Sequence, residues 1–141
     1  MKKYSFLFFL ALTACTIAPA KIDYGNDACK FCSMTIVDKQ HAAQLVTNKG
    51  KAFKYDAIEC MLNDLKSTPT AAIELFLVID YLNPSVLIDA TTATYLISPE
   101  IKSPMGANLS AFASNEAAQP FVKTPASRVY SWTEIQGQSF N

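Results

Sequence analysis

Three features of the chain predict an α+β fold built from two small ββαβ units, each an antiparallel sheet with one helix. Strand-length apolar runs alternate with turn residues, a well-marked amphipathic helix follows the first group of strands, and the second half weakly repeats that plan. The units are expected at residues 29–83 and 84–141, behind a signal peptide at 1–14 and a lipidated tether at 15–28.

The N-terminal elements come first. Lys2 and Lys3 give a positive start, and the apolar run from Phe6 to Leu12 is too short to span a bilayer but suits a signal-peptide core. Leu12-Thr13-Ala14-Cys15 resembles the lipobox of bacterial lipoproteins. The resemblance implies cleavage before Cys15, lipid on that cysteine, and a mature domain anchored to a membrane of the cell envelope and facing the periplasm. Thr16 is not the aspartate associated with inner-membrane retention in enteric bacteria, which leans toward the outer membrane. Residues 16 to about 27, with Pro19 and Gly25, read as a polar leader.

The first unit follows. Met34-Thr35-Ile36-Val37 and Ala42-Ala43-Gln44-Leu45-Val46 read as strands about the turn Asp38-Lys39-Gln40, and Asn48-Lys49-Gly50 is a second turn before Ala52-Phe53-Lys54-Tyr55. Asp56 is placed to cap a helix with Glu59 completing a capping box, and Ile58, Met61, Leu62 and Leu65 share one apolar face. The β-rich run from Leu75 to Ile79 reads as a central strand. Asn83-Pro84 marks the junction. Beyond it, Val86-Leu87-Ile88-Asp89, Thr94-Tyr95-Leu96-Ile97 and Val129-Tyr130-Ser131-Trp132 are strand-like, and Pro120 shortens a helix capped near Ser114 or Asn115.

Lysines and arginines balance aspartates and glutamates over the chain, and loss of Lys2 and Lys3 leaves a slightly acidic mature protein, so nucleic acid is not an expected partner. Nor does catalysis find support: His41 is the single histidine, and there is no glycine-rich phosphate loop.

Of four cysteines, lipid would take Cys15, leaving the odd set Cys29, Cys32 and Cys60. An odd set outside the cytoplasm suits a metal or a reactive thiol better than a disulfide scaffold. In Cys29-Lys30-Phe31-Cys32-Ser33-Met34, two thiols three apart can chelate one ion, and a strand starting near Cys32 would project Cys32 and Met34 from one face. Thiolate beside thioether favours Cu(I), because magnesium and calcium want oxygen and zinc has no use for a thioether. A bare C-x-x-C also suits a disulfide, a redox pair or half a zinc site, although a redox pair belongs at a helix N-terminus rather than before a strand. Met61 fits core packing, Cys60 fits a hydrophobic staple on Tyr55, and His41 fits a solvated loop.

The run Tyr24 to Asp38 containing Cys29-x-x-Cys32-x-Met34, then Ala42-Ala43-Gln44, Phe53-Lys54-Tyr55-Asp56, Cys60-Met61 and Pro104-Met105-Gly106-Ala107, resembles the NosL family of copper-binding lipoproteins. The resemblance implies the same paired ββαβ fold and a non-enzymatic Cu(I) chaperone that hands copper to apo nitrous-oxide reductase. It implies Cys32, Met34 and Met105 as ligands. Some relatives have histidine two residues before the second cysteine; Lys30 stands there in this chain, and Cys29 is the natural substitute. The runner-up is a zinc- or disulfide-stabilised structural or adaptor lipoprotein using Cys29, Cys32, Cys60 and His41.

Overall fold

Strand β1, Ala43–Thr47, is the spine of the first sheet in a computed structural model that describes residues 16–141. The signal peptide and Cys15 lie outside the described residues. β1 pairs antiparallel with β2, Ala52–Tyr55, through a turn in which Gly50 takes a positive φ of 81° that a side chain would resist. On its other edge β1 pairs with β3, Ile73–Ile79, which pairs in turn with β4, Leu87–Asp89, giving the order β2-β1-β3-β4.

Helix α1, Ile58–Leu65, crosses between β2 and β3, and its buried Ile58, Met61 and Leu62 each contribute roughly 1.5–3 kcal/mol by leaving water. The second sheet, order β6-β5-β7, comprises β5, Thr94–Ile97, β6, Leu109–Phe112, and β7, Arg128–Tyr130. Between β6 and β7 lie α2, Asn115–Ala118, and a 3₁₀ turn, Gln119–Phe121; Ser114 caps α2, and Pro120 keeps it short as expected. Helix α3, Trp132–Gln136, closes the fold. One continuous core joins both halves, running from Ile36, Leu45, Ile58 and Val78 to Tyr95, Leu109, Ala111 and Ile135. Among the described residues no helix is long and apolar enough to cross a membrane.

The α+β class and the two ββαβ passes, β1-β2-α1-β3 and β5-β6-α2-β7, match the sequence reading, but several elements differ. Residues 34–37 form no strand: Ser33 turns left-handed at φ 64°, and the segment folds back as a loop with a single bridge, Ala28 to Thr35. Both edges of β1 are already taken by β2 and β3, so the first sheet offers this segment no place beside it. The strand near 86–89, expected to open the second unit, belongs to the first sheet. Its connection from β3 is a tight turn, with Asp80 N–H donating to Val86 O at 3.0 Å, and antiparallel neighbours so joined pair with each other. Asn83-Pro84 therefore sits inside a hairpin.

Two further corrections concern ends. α1 begins at Ile58, with Ala57 at its N-cap and no side-chain cap, so Asp56 and Glu59 do not form a capping box. The box lies instead at α3, between Ser131 and Glu134, where Trp132 had been expected to extend a strand. The tether read over 15–28 is docked from Ala20 onward: Ala20 exchanges two hydrogen bonds with the buried Gln44 side chain, both 2.8 Å, and Ile22 enters the core.

Candidate metal centre

The segment 28–35 is a hairpin loop closed by Cys29 N–H donating to Met34 O at 2.8 Å and Ser33 N–H donating to Cys29 O at 2.9 Å. It is held to β2 by Lys30 N–H on Lys54 O at 2.9 Å, and to α1 by the Lys30 amine on the Asp64 carboxylate at 2.5 Å. Tyr55 Oη donates to the same Asp64 oxygen at 2.6 Å, so the end of β2, the loop and α1 are fastened at one point. That fastening lays the loop beside the first turn of α1, where Cys60 points. The Sγ atoms of Cys29, Cys32 and Cys60 lie within 4.8 Å of one another, and all three are free thiols. Cys29 and Cys60 are buried, whereas Cys32 is partly exposed, so the cluster opens on its Cys32 side.

Hydrogen bonding polarises the trio. The Cys60 thiol donates to Cys29 sulfur and, against the cost of burial, lowers the Cys29 pKa to about 5, with help from the backbone N–H groups of Cys32 and Asp56. Cys60 is driven upward by the same bond and by burial, and burial also raises Cys32 despite the Met34 N–H that faces its sulfur. One thiolate held by a neighbouring thiol is a preformed site for a soft cation.

This sets a pH dependence. A group whose folded pKa is depressed adds stability that is present at high pH and lost as pH falls through the folded value. The reduced, metal-free protein should therefore gain stability from about pH 5 toward pH 8.5 through Cys29, and lose it above about pH 9 as unfolded Cys60 ionises. Urea titrations of wild type and Cys29→Ser across that range check the sign; parallel curves would contradict it.

The structure brings together Cys29 and Cys32 from the expected copper set and adds Cys60, read there as a staple and named as a ligand only in the zinc or disulfide alternative. The missed signal was the odd cysteine count combined with a helix starting directly after the strand that flanks the Cys29–Cys32 loop. Met34 is 52% exposed and follows the left-handed turn at Ser33, so strand alternation does not place it. Met105 is half-buried in the turn Ser103–Gly106 and lines a cleft of about 310 Å³ with Ile97 and Phe140. That loop is tied to α1 by Glu59, one residue before Cys60: Ser103 Oγ donates to Glu59 Oε1 at 2.6 Å and Ala107 N–H donates to it at 3.3 Å. Asp56 and Glu59 are buried, and among the described residues Asp56 Oδ1 and Glu59 Oε2 have no hydrogen-bond partner. Met61 is core, as read.

His41 is neither solvated nor in the thiol cluster. It is 3% exposed, with Nδ1 2.9 Å from Asp38 Oδ1 and Nε2 3.1 Å from Ser110 Oγ. Burial opposes ionisation of Asp38, but its bonds from His41 and the Gln40 N–H hold its carboxyl below the usual range. His41 Nδ1 therefore donates to a carboxylate, and in the neutral imidazole Nε2 accepts from Ser110. The serine-histidine-aspartate order invites comparison with a hydrolase, yet Ser110 is fully buried in β6 and no substrate can reach it. The array joins the two halves of the molecule.

The comparisons agree with this architecture. A solved structure described as the copper chaperone NosL from Shewanella denitrificans superimposes with a TM-score of 0.73 over 85% of this chain and 96% of that one, at 19% identity. No curated protein matches the chain. The family model named NosL matches residues 19–140, nearly the whole described chain, and the protein is thus a member of the NosL family.

Proposed function

We propose that this protein is a membrane-tethered Cu(I) chaperone, a binding and transfer protein rather than an enzyme, that supplies copper to apo nitrous-oxide reductase. The observation that carries the reading is the trio of thiols within 4.8 Å, two of them sealed and the third at an opening. Three soft donors, with an exposed thioether two residues after Cys32, suit Cu(I), which accepts low coordination and both kinds of sulfur. Cys29, Cys32 and Cys60 hold the ion, and Met34 meets it from the solvent side as it enters or leaves. An acceptor adds its own ligand at that side and displaces the protein's sulfurs in turn. Copper stays Cu(I) throughout, no electron moves, and the freed thiolates take up protons from water.

Family membership supports the acceptor, and the Leu12-Thr13-Ala14-Cys15 lipobox supports the lipid on Cys15. Deleting the gene should leave nitrous-oxide reductase present but poor in its catalytic copper centre, whereas full copper loading in the deletion strain would remove this acceptor. Mass spectrometry of the membrane fraction tests the anchor, since a mature N-terminus without lipid on Cys15 contradicts it.

Met105 is proposed as an outer ligand brought in by the second half. Met105→Leu keeps most of the volume and removes the sulfur, so stability should change by less than about 1.5 kcal/mol while Cu(I) affinity falls. Unchanged affinity in competition with a Cu(I) chelator would make Met105 a packing residue only.

One observation favours zinc as the runner-up. Burial raises the Asp56 pKa and repulsion from Cys29 adds to it, so a buried carboxyl whose Oδ1 has no partner among the described residues lies near enough to the thiols to feel their charge and would complete a four-coordinate site. Metal analysis after reduction, in the presence of both ions, separates the two readings.

A further inference from the structure

The covalent path from Cys15 to the folded domain is short. Ala20 is pinned through its N–H and carbonyl to Gln44, which is fully buried in β1, and Ile22 follows into the core. Only residues 16–19 lie between Cys15 and that clasp, so a lipid on Cys15 sits no more than about 18 Å from Ala20. The surface around Ala20 is therefore kept within reach of the bilayer by its own chain.

That surface has the chemistry of an interfacial site. A cavity of about 260 Å³ opens beside Ala20, with Lys21, Tyr24, Lys39 and Ser85 on its walls. The Lys39 amine stands 5.8 Å over the Tyr24 ring, and among the described residues neither lysine is in an ion pair. Nearby carboxylates are engaged within the fold: the exposed Asp23 by the Asn26 amide, Asp38 by His41, and Asp80 by the Asn83 amide and Leu82 N–H. The loop carrying Lys39 and the turn at 80–86 are joined by Ser85 N–H on Lys39 O at 2.8 Å and by Gln40 Nε2 on Tyr81 O at 3.0 Å. These two segments expose Val37 at 64%, Leu82 at 48% and Val86 at 50%. Aliphatic side chains beside unpaired lysines, on a face tethered within a few residues of a lipid, match the boundary between headgroups and acyl chains.

We propose that this face rests on the membrane, with Val37, Leu82 and Val86 in the headgroup boundary and Lys21 and Lys39 holding a lipid phosphate at the cavity. The proposal rests on lipidation of Cys15. Strand register places the 80–86 turn at the same end of the first sheet as Tyr55 and the thiols, since Ala43 pairs with both Tyr55 and Val78. The mouth of the metal site then lies beside the membrane surface, and an acceptor approaches along it.

The test uses the lipidated protein purified from membranes, in vesicles of phosphatidylethanolamine and phosphatidylglycerol with brominated acyl chains. Tryptophan is placed at Val86→Trp, or at Asn48→Trp in the turn at the opposite end of the sheet, each with Trp132→Phe. The Val86→Trp protein should lose about half its emission while the Asn48→Trp protein loses little. In the same vesicles, Lys21→Ala with Lys39→Ala should weaken the quenching when phosphatidylglycerol is present. Equal quenching at both positions, or none at either, would overturn the assigned face. A Val86→Trp emission that is shielded only at high protein density would give the face to a second copy of the chain. Intact mass distinguishes failure of the tether: a chain without lipid on Cys15 removes the anchor and this proposal together, whereas a lipidated chain with unquenched Val86→Trp removes the face alone.

Discussion

Replacing Cys60 by serine is expected to lower Cu(I) affinity by more than about 100-fold, because partners outside the first coordination sphere of a metal are already worth 10–100-fold. Two effects combine. The substitution removes one of three sulfurs that lie within 4.8 Å of each other, and it offers a hard oxygen in a soft site. The serine hydroxyl can still donate to Cys29, so the thiolate there is kept and the loss reports the missing sulfur. Fold stability should move by only about 1 kcal/mol, since serine nearly preserves the volume at a buried position. Competition with a Cu(I) chelator and urea titration on the same preparations separate these effects. Met61→Leu is the control: the adjacent methionine belongs to the core, so copper affinity should stay unchanged.

The second large effect is on stability. His41→Ala should cost about 3 kcal/mol, because it opens a cavity between the halves and leaves Asp38 and the Ser110 hydroxyl short of partners. Asp38 retains the backbone N–H groups of Gln40 and His41, so the loop keeps its turn while losing its bond across to β6. Ser110→Ala removes only the far partner and should cost about 1 kcal/mol. Cu(I) affinity of the folded His41→Ala protein should match wild type. A loss of copper with no loss of stability would make His41 a ligand instead.

The pattern of periods and turns was legible where local chemistry decides structure. The glycine turn at 48–50, the helical stripe of Ile58, Met61 and Leu62, and the shortening at Pro120 are all local, and all are present. What could not be read from local pattern was which strand pairs with which. Thr35 and Val37 have strand chemistry, but β1 has partners on both edges, and the left-handed Ser33 sends the segment into a loop. Leu87–Asp89 looks like the start of a new unit, yet a short hairpin turn commits it to the sheet it has just left.

The site was half legible for a related reason. Cys29, Cys32 and Met34 are neighbours in sequence, and their spacing speaks directly. Cys60 is a tertiary neighbour, brought in by the direct passage from β2 to α1 and by Asp64, which holds both Lys30 and Tyr55. A hydrophobic staple and a buried ligand occupy the same place in the first turn of a helix, and only the position of the Cys29 loop distinguishes them.

The central claim is that Cys29, Cys32 and Cys60 together hold Cu(I). Its most direct test is metal analysis with copper-edge X-ray absorption on reduced protein offered copper and zinc together. The predicted result is one equivalent of copper as Cu(I) with a shell of sulfur alone, lost when any of the three cysteines becomes serine. Zinc retained in the presence of Cu(I), or copper bound through nitrogen and oxygen and unaffected by Cys60→Ser, would contradict it.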